Sequence, residues 1–227
     1  MLLPAGIWWV VVALAPAAAP LELPWLTAAK ETLRPPLITR ADGVRIRFGT
    51  IADAPDIRSL WAANAAPNAL TPAWSRNGVA RSFARRRSPG GGLRATSAVA
   101  RDASGALVGF LAANAVDEPY NEASAVPWRD FVEAGVARCL VGPVCVAEAS
   151  RGSGLFEDLY RALVSSDDLA AFSELVSAIE AGNAASLKAH LRLPGAATAG
   201  EFADDDGSPW AVVRFDLDAL RAAYPAD

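Results

Sequence analysis

Histidine and cysteine are scarce in this sequence. Its 227 residues include one histidine, His190, and two cysteines, Cys139 and Cys145. A zinc site needs closely spaced thiolate and imidazole ligands, so we predict no metal site. Six residues of extended chain separate the two cysteines by roughly 20 Å. A disulfide requires Cα atoms within about 7 Å of each other, so we expect two reduced, buried thiols.

An excess of positive charge is also missing. The formal net charge of -4 argues against a sequence-independent nucleic-acid binder, which is normally basic. No lysine stands at the P-loop spacing, and no Gly-x-Gly-x-x-Gly pattern opens a dinucleotide site. Hydrophobic residues make up 52% of the chain, enough to build a substantial core and to exclude global disorder.

The N-terminal segment lacks charge altogether. Residues 1–21 are uncharged and largely apolar. A secretory signal normally has Lys or Arg before its apolar run, and this segment has none. Pro4, Pro16 and Pro20 disfavour a membrane-spanning helix. We expect either a loosely packed extension or a weak targeting segment that contacts a membrane. The chain is therefore predicted to divide into an N-terminal extension with a proline-rich linker at 1–43 and one folded domain at 44–227.

Hydrophobic periodicity predicts alternating strands and helices from Val44 onward. The predicted strands are Arg45–Phe48, Ala95–Arg101, Ala106–Ala115, Arg138–Val146, Phe172–Ile179, Thr198–Phe202 and Trp210–Leu217. The predicted helices follow an N-cap at Asp53, span Pro72–Arg87, begin near Leu155 and follow Asn183. A proline inside a strand favours a bulge, so Pro143 is expected to free neighbouring backbone groups for a ligand.

The segment from Val144 to Tyr160 carries the clearest chemical signal. A buried strand runs into a short loop with Arg151, Gly152 and Gly154 and then into a helix. Small residues let a ligand approach the backbone closely. The first turn of a helix offers unpaired N–H groups and a partial positive charge. This junction therefore predicts an anion site, with phosphate as the natural ligand.

The order of elements, together with this loop, resembles the GNAT N-acetyltransferase superfamily. Arg151-Gly152-Ser153-Gly154 matches the first four positions of the acetyl-CoA loop in that family, Gln/Arg-x-x-Gly-x-Gly/Ala. Phe156 departs from the small last residue. The resemblance extends from Val44 to Leu217 and implies an α/β (α+β) domain, with a mixed central sheet of about six to seven strands and about four flanking helices.

The chain also resembles a second element of that family, through Asn183, Ser186 and His190. In the family this element ends in Leu-Gly-Phe, whereas this sequence has Leu193-Pro194-Gly195. The polar-aromatic segment before the central strand is similar to that of a poorly characterised branch of predicted acetyltransferases. The resemblance implies an acetyl-CoA site formed by Val144, Cys145, Val146, Arg151, Gly152, Ser153, Gly154, Leu155, Phe156, Asn183 and Ser186. The glycine loop would hold the pyrophosphate, and the strand would bond the pantetheine arm.

The resemblance also implies catalytic roles. His190 stands where many relatives carry a tyrosine general acid, and a backbone N–H near Val146 would stabilise the oxyanion. Glu148, Tyr120 and Glu118 are candidates for the base, with a chain of water molecules as the alternative. The implied reaction is direct attack of a primary amine, on a small molecule or a peptide, on the acetyl-CoA thioester.

Two other functions stay open at this point. The altered motif endings are compatible with a degenerate module that binds acyl-CoA for regulation, and the glycine loop could serve another phosphate ligand in an unrelated α/β fold. Because acetyl-CoA is a cytosolic metabolite, we expect a cytoplasmic protein, with membrane association through residues 1–21 as the alternative. The oligomeric state is left open, a dimer being compatible with it.

Overall fold

Nine strands form a single sheet in the computed structural model, which describes residues 37–64, 86–87, 93–115, 131, 136–204 and 207–225. The strands are β1 (Ile38–Thr39), β2 (Arg45–Phe48), β3 (Arg86–Arg87), β4 (Leu93–Arg101), β5 (Leu107–Ala115), β6 (Arg138–Val146), β7 (Glu174–Glu180), β8 (Ala196–Ala203) and β9 (Pro209–Asp216). Their spatial order is β1-β2-β4-β5-β6-β7-β9-β8, and β3 pairs with β4. β6 and β7 run parallel, whereas the other described pairs are antiparallel.

Four α-helices cover the two faces of this sheet in the described part of the chain. They are α1 (Ala54–Asn64), α2 (Leu155–Val164), α3 (Ala184–His190) and α4 (Leu217–Ala223). Alternate residues of each strand point to opposite faces. Leu111 and Ala113 of β5 pack in the cluster that contains α2 and α4, whereas Phe110 and Ala112 pack against α1.

The α2 side holds the larger core. Leu155, Leu159 and Leu163 recur every four residues along α2 and are buried against the sheet. At about 25 cal/mol per Å² of apolar surface removed from water, such a stripe supplies much of the free energy that holds a helix on a sheet. The packing of α2 on the sheet therefore fixes where its N-terminus and the preceding glycine loop lie.

A buried ion-pair network holds the start of α1. Asp53 is 1% exposed, and its carboxylate accepts hydrogen bonds from Arg47 at 2.7 and 2.9 Å and from Arg101 at 2.7 Å. The Thr50 backbone N–H donates to the same carboxylate at 2.8 Å. Burial raises the pKa of Asp53, but the bonds from the two arginines and from Thr50 outweigh it and hold the pKa at about 2.

The predicted fold class is confirmed, with a larger sheet than expected. The short strands β1 and β3 bring the count in the described residues to nine instead of six or seven. Placing Arg86–Arg87 in a helix was wrong, because these residues pair with β4. The prediction also missed α4, whose N-cap Asp216 accepts bonds from the N–H groups of Asp218 and Ala219. The bulge at Pro143 is confirmed by a shift in the β5–β6 register opposite Leu111–Ala113.

Several predictions fall on residues that the structure does not describe. They concern residues 1–36, the helix at 72–85, and Glu118 and Tyr120. The sheet itself begins at β1, ahead of the domain start predicted at Val44 and within the segment assigned to the linker. Among the described helices, none has the length and apolarity needed to cross a membrane.

Candidate functional site

The sheet opens between β6 and β7. These strands pair over Arg138–Leu140 and Glu174–Val176 and then separate. An ion pair between Arg138 Nε and Glu174 Oε2, 2.6 Å long, lies at the closed end. Beyond Leu140, β6 keeps its pairing with β5, and no strand of the described residues lies on its other side, which leaves a cleft in the middle of the sheet.

Backbone groups of β6 point into this cleft. The N–H of Ala147 donates to the carbonyl of Val108 at 2.9 Å, which sets the phase of the β5–β6 ladder. Antiparallel ladders alternate, so the N–H and C=O groups of Val144 and Val146 point away from β5 toward the open side. The Val146 carbonyl accepts a bond from Arg151 Nε at 3.3 Å. β6 therefore presents an edge that an extended ligand can pair with.

The loop after β6, which we call the anion nest, has the features of an anion-binding site. A short 3-10 helix, Glu148–Ser150, is followed by Gly152 with φ +74° and Gly154 with φ +85°. Gly154 is the N-cap of α2 and supplies no capping side chain. The first N–H groups of α2 therefore have no acceptor inside the helix, and the helix dipole adds positive potential there.

Arg40 fastens this loop to β1 and β2. Its guanidinium donates to the Ser153 carbonyl at 2.7 Å and to the Asp158 carboxylate in the first turns of α2. Asp42 pairs with Arg40 Nε at 3.2 Å. Sequence reasoning missed Arg40 because its partners lie 113 and 118 residues away along the chain.

Most of the predicted cofactor residues line one cleft of about 1010 Å³. The lining includes Val144, Cys145, Val146, Arg151, Gly152, Gly154, Leu155, Phe156, Asn183 and Ser186. Ser153 lies behind the loop, where its Oγ donates to the Ser150 carbonyl at 2.8 Å. Asn183 caps α3 by accepting the Ser186 N–H at 3.2 Å. The Phe156 ring packs against Tyr160 and His190, with centroids 5.1 and 4.9 Å away, and is half-buried.

The structure does not bring the described catalytic candidates to the cleft lining. His190 is 2% exposed and packs against Phe156, Tyr160 and Phe215. Its Nδ1 donates to the Ser186 carbonyl at 2.8 Å, which fits a neutral imidazole. Burial lowers the pKa of His190 to about 4, against a small opposing effect of that bond. This environment suits a packing role better than proton transfer at neutral pH.

Glu148 lies exposed in the 3-10 helix, where its backbone N–H donates to Asn64 Oδ1 at 3.0 Å. The cleft residues that sequence reasoning missed include Trp61 and Asn64 on α1, Glu180 at the end of β7 and Arg192 after α3. No sequence motif marks them, because they meet only through the packing of α1 and the opening of the sheet. In the residues described, no cluster of His, Cys, Asp and Glu could hold a metal ion.

Titration of His190 should appear in the stability of the protein. The folded pKa of about 4 lies below the ordinary histidine pKa of 6.5, so the unfolded chain binds the proton more readily. The stabilisation is complete above pH 6.5 and is lost as the pH falls toward 4, by up to about 3 kcal/mol. Urea unfolding between pH 4 and 7 should show this slope, and His190→Phe should remove it. A slope that persists in the variant would assign the titration to other groups.

No protein-family model and no curated protein matches the sequence. Solved structures do match it. Arabidopsis thaliana NAA60 in complex with acetyl-CoA is similar with a TM-score of 0.57 and 12% identity, over 77% of this chain and 99% of that one. The ribosomal-protein-S18-alanine N-acetyltransferase from Escherichia coli is similar with a TM-score of 0.53 and 15% identity, over 77% and 94%. Similarity at this level concerns the fold, and the chain has the fold of the GNAT N-acetyltransferases.

Proposed function

We propose that this protein is an acetyl-CoA-dependent N-acetyltransferase. The observation that carries the proposal is the opening of the sheet between β6 and β7, which leads directly to an uncapped helix N-terminus. An acyl-CoA has an extended arm with two amides and a pyrophosphate at its end. The exposed edge of β6 and the nest at Gly152–Gly154 offer these two kinds of contact in the same order.

Each part of the cleft has a defined task in this proposal. The N–H groups at the start of α2 bind the pyrophosphate, and Arg151 and Arg192 add positive charge at the lining of the cleft. Val144 and Val146 pair with the amides of the arm. The neutral amine nitrogen attacks the thioester carbonyl, a C–N bond forms and the C–S bond breaks; the nitrogen loses one proton, and the leaving thiolate takes up one proton to give the CoA thiol. A β6 N–H stabilises the charge that develops on the carbonyl oxygen.

The state of Cys145 favours direct attack over an acyl-enzyme route. Burial raises the pKa of this cleft-lining thiol to about 11, against a smaller lowering by Arg151. A cysteine nucleophile reacts as the thiolate, so a thiol that stays protonated at neutral pH is poorly suited to carry the acetyl group.

Calorimetric titration with acetyl-CoA, followed by an assay of CoA thiol release with a broad panel of primary amines, tests the proposal. We expect saturable binding and amine-dependent release. The second candidate, a regulatory module that binds acyl-CoA without turnover, is favoured by the burial of His190 away from the cleft lining. Tight binding without release for any amine would support that module. A failure to bind acetyl-CoA would contradict both.

Removal of the Arg40 side-chain charge should weaken acetyl-CoA binding. Arg40→Met loses the bonds to the Ser153 carbonyl and to Asp158, so the loop is no longer held in its binding conformation. We expect the Kd for acetyl-CoA to rise by about tenfold, as for loss of a charge-assisted contact. Arg45→Met, at an exposed site on β2, is the matched control and should leave the Kd unchanged. Equal Kd values in both variants would show that Arg40 does not organise the loop.

A further inference from the structure

The cleft has a second side with a different character from the anion nest. Leu175 and Ile179 of β7 are buried in the core with α2, so Glu180, one position further on, points to the face that α1 covers. Trp61 and Asn64 of α1 line the cleft together with Glu180. One side of the cleft therefore offers backbone N–H groups, and the other an aromatic ring, an amide and a carboxylate.

Glu180 is the negatively charged residue on the α1 side of the cleft. Its side chain is half-buried and lines the cleft, and the described residues give its carboxylate no hydrogen bond or ion pair. The other carboxylate in the lining, Glu157, accepts a hydrogen bond from Tyr224 Oη at 2.8 Å. A partly desolvated carboxylate gains most from a cationic partner.

An aromatic side chain stands beside Glu180. Trp210 of β9 is its cross-strand partner on the same face of the sheet. The indole N–H of Trp210 donates to Asp204 Oδ2 at 2.9 Å, and its ring stacks on Phe202 with centroids 6.2 Å apart. These contacts hold the Trp210 ring toward β8, and the aromatic ring that lines the cleft with Glu180 is that of Trp61. A carboxylate and an indole in the lining of one cleft can bind an alkylammonium group by ion pairing and by cation–π attraction.

We infer that the acceptor carries a second cationic group, which Glu180 binds, in addition to the nitrogen that is acetylated. This inference rests on the proposed acetyl transfer. The attacking nitrogen must be neutral, whereas a nitrogen held in an ion pair with a carboxylate keeps its proton. Glu180 lies beyond Val176, the last residue paired with β6, and lines the part of the cleft where the two strands have separated, so both nitrogens belong to one molecule in that cleft. The substrate class is therefore a linear diamine or a longer polycation.

Steady-state kinetics with matched amines tests this inference. With acetyl-CoA saturating, kcat/KM is measured for cadaverine and for pentylamine, which has the same chain length and lacks the second charge. We expect cadaverine to be favoured by about tenfold or more, as for a charged partner in a partly buried pair. Glu180→Gln should remove this preference by raising KM for cadaverine, with the Kd for acetyl-CoA unchanged. Glu201→Gln, at an exposed site on β8, is the control.

A charge-reversed variant makes the test independent of a simple loss of folding. Glu180→Lys should turn the preference toward ε-aminocaproate, whose second group is an anion.

Equal kcat/KM values for cadaverine and pentylamine in the wild type would overturn the inference and leave acetyl transfer standing. A fall in kcat for both amines in Glu180→Gln would overturn it in favour of a general base. If acetyl-CoA binds but no amine is acetylated, the Kd of cadaverine for the protein–acetyl-CoA complex is measured by calorimetry. A Kd that is the same in the wild type and in Glu180→Gln would overturn the inference. A protein that does not bind acetyl-CoA contradicts the proposed function, and the inference fails with it.

Discussion

Replacing Gly152 with valine is expected to raise the Kd for acetyl-CoA by about a hundredfold. Gly152 has φ +74°, a conformation that costs a β-branched residue about 3 kcal/mol, and 1.4 kcal/mol corresponds to a factor of ten in affinity. The exposed loop can relax to avoid this strain, but it then loses the arrangement of N–H groups that binds phosphate. Calorimetry with acetyl-CoA measures the effect.

Gly105 provides a control with nearly the same backbone. It has φ +88° in the β4–β5 hairpin, and a side chain at either glycine would meet open space. Gly105→Val should therefore lower the free energy of unfolding by about 1–3 kcal/mol and leave the Kd for acetyl-CoA unchanged. If both variants bind acetyl-CoA as the wild type does, the loop at Gly152 is not the phosphate site.

Asp53→Ala is expected to cause the largest loss of stability. The change removes the carboxylate that pairs with Arg47 and Arg101, and it leaves two partly buried guanidinium groups without that partner. Breaking such a pair from one side costs about 3 kcal/mol. Urea unfolding at pH 7 measures the loss. Asp56→Ala, which removes a more exposed partner of Arg101, should cost about 0.5 kcal/mol, and a similar loss in both variants would contradict a special role for Asp53.

The same carboxylate should govern unfolding in acid. Its pKa is about 2 in the folded protein, against 3.8 for an ordinary aspartate, so the unfolded chain binds the proton more readily. The stabilisation is complete above pH 4 and is lost as the pH falls through 2, by about 2 kcal/mol. Because His190 acts between pH 6.5 and 4, the two windows are separate in a pH series of urea unfolding curves.

Local patterns were enough to predict the frame of the fold and the loop of the site. Alternating residues in β4, β5 and β6 report which face is buried, and the glycines at 152 and 154 report where the backbone must turn before α2. These signals are contained in a few consecutive residues. The two-residue strands β1 and β3 carry too few residues to show a period, and they form because longer strands stand beside them.

The rest of the site depends on contacts that no local pattern encodes. Arg40 reaches the loop only after β1 and β2 have joined the sheet. In the sequence, Glu180 looks like an ordinary residue at the end of a strand. It lines the cleft only because β6 and β7 separate in the folded protein. For His190, a position in a motif predicts a proton donor, and the motif carries no information on the packing against three aromatic rings that favours the neutral form.

The short ladder between β6 and β7 makes the width of the cleft sensitive to small rotations. Three residue pairs join these strands in the described chain, and the Arg138–Glu174 ion pair marks the end about which they can pivot. Glu180 lies six residues beyond Glu174, or roughly 20 Å along the strand, so a rotation of about 5° moves it by about 2 Å. A displacement of Glu180 large enough to break a hydrogen bond thus corresponds to a very small change in the geometry of the ladder. Substitutions near Arg138, far from any ligand, can therefore adjust the distance between the two sides of the cleft.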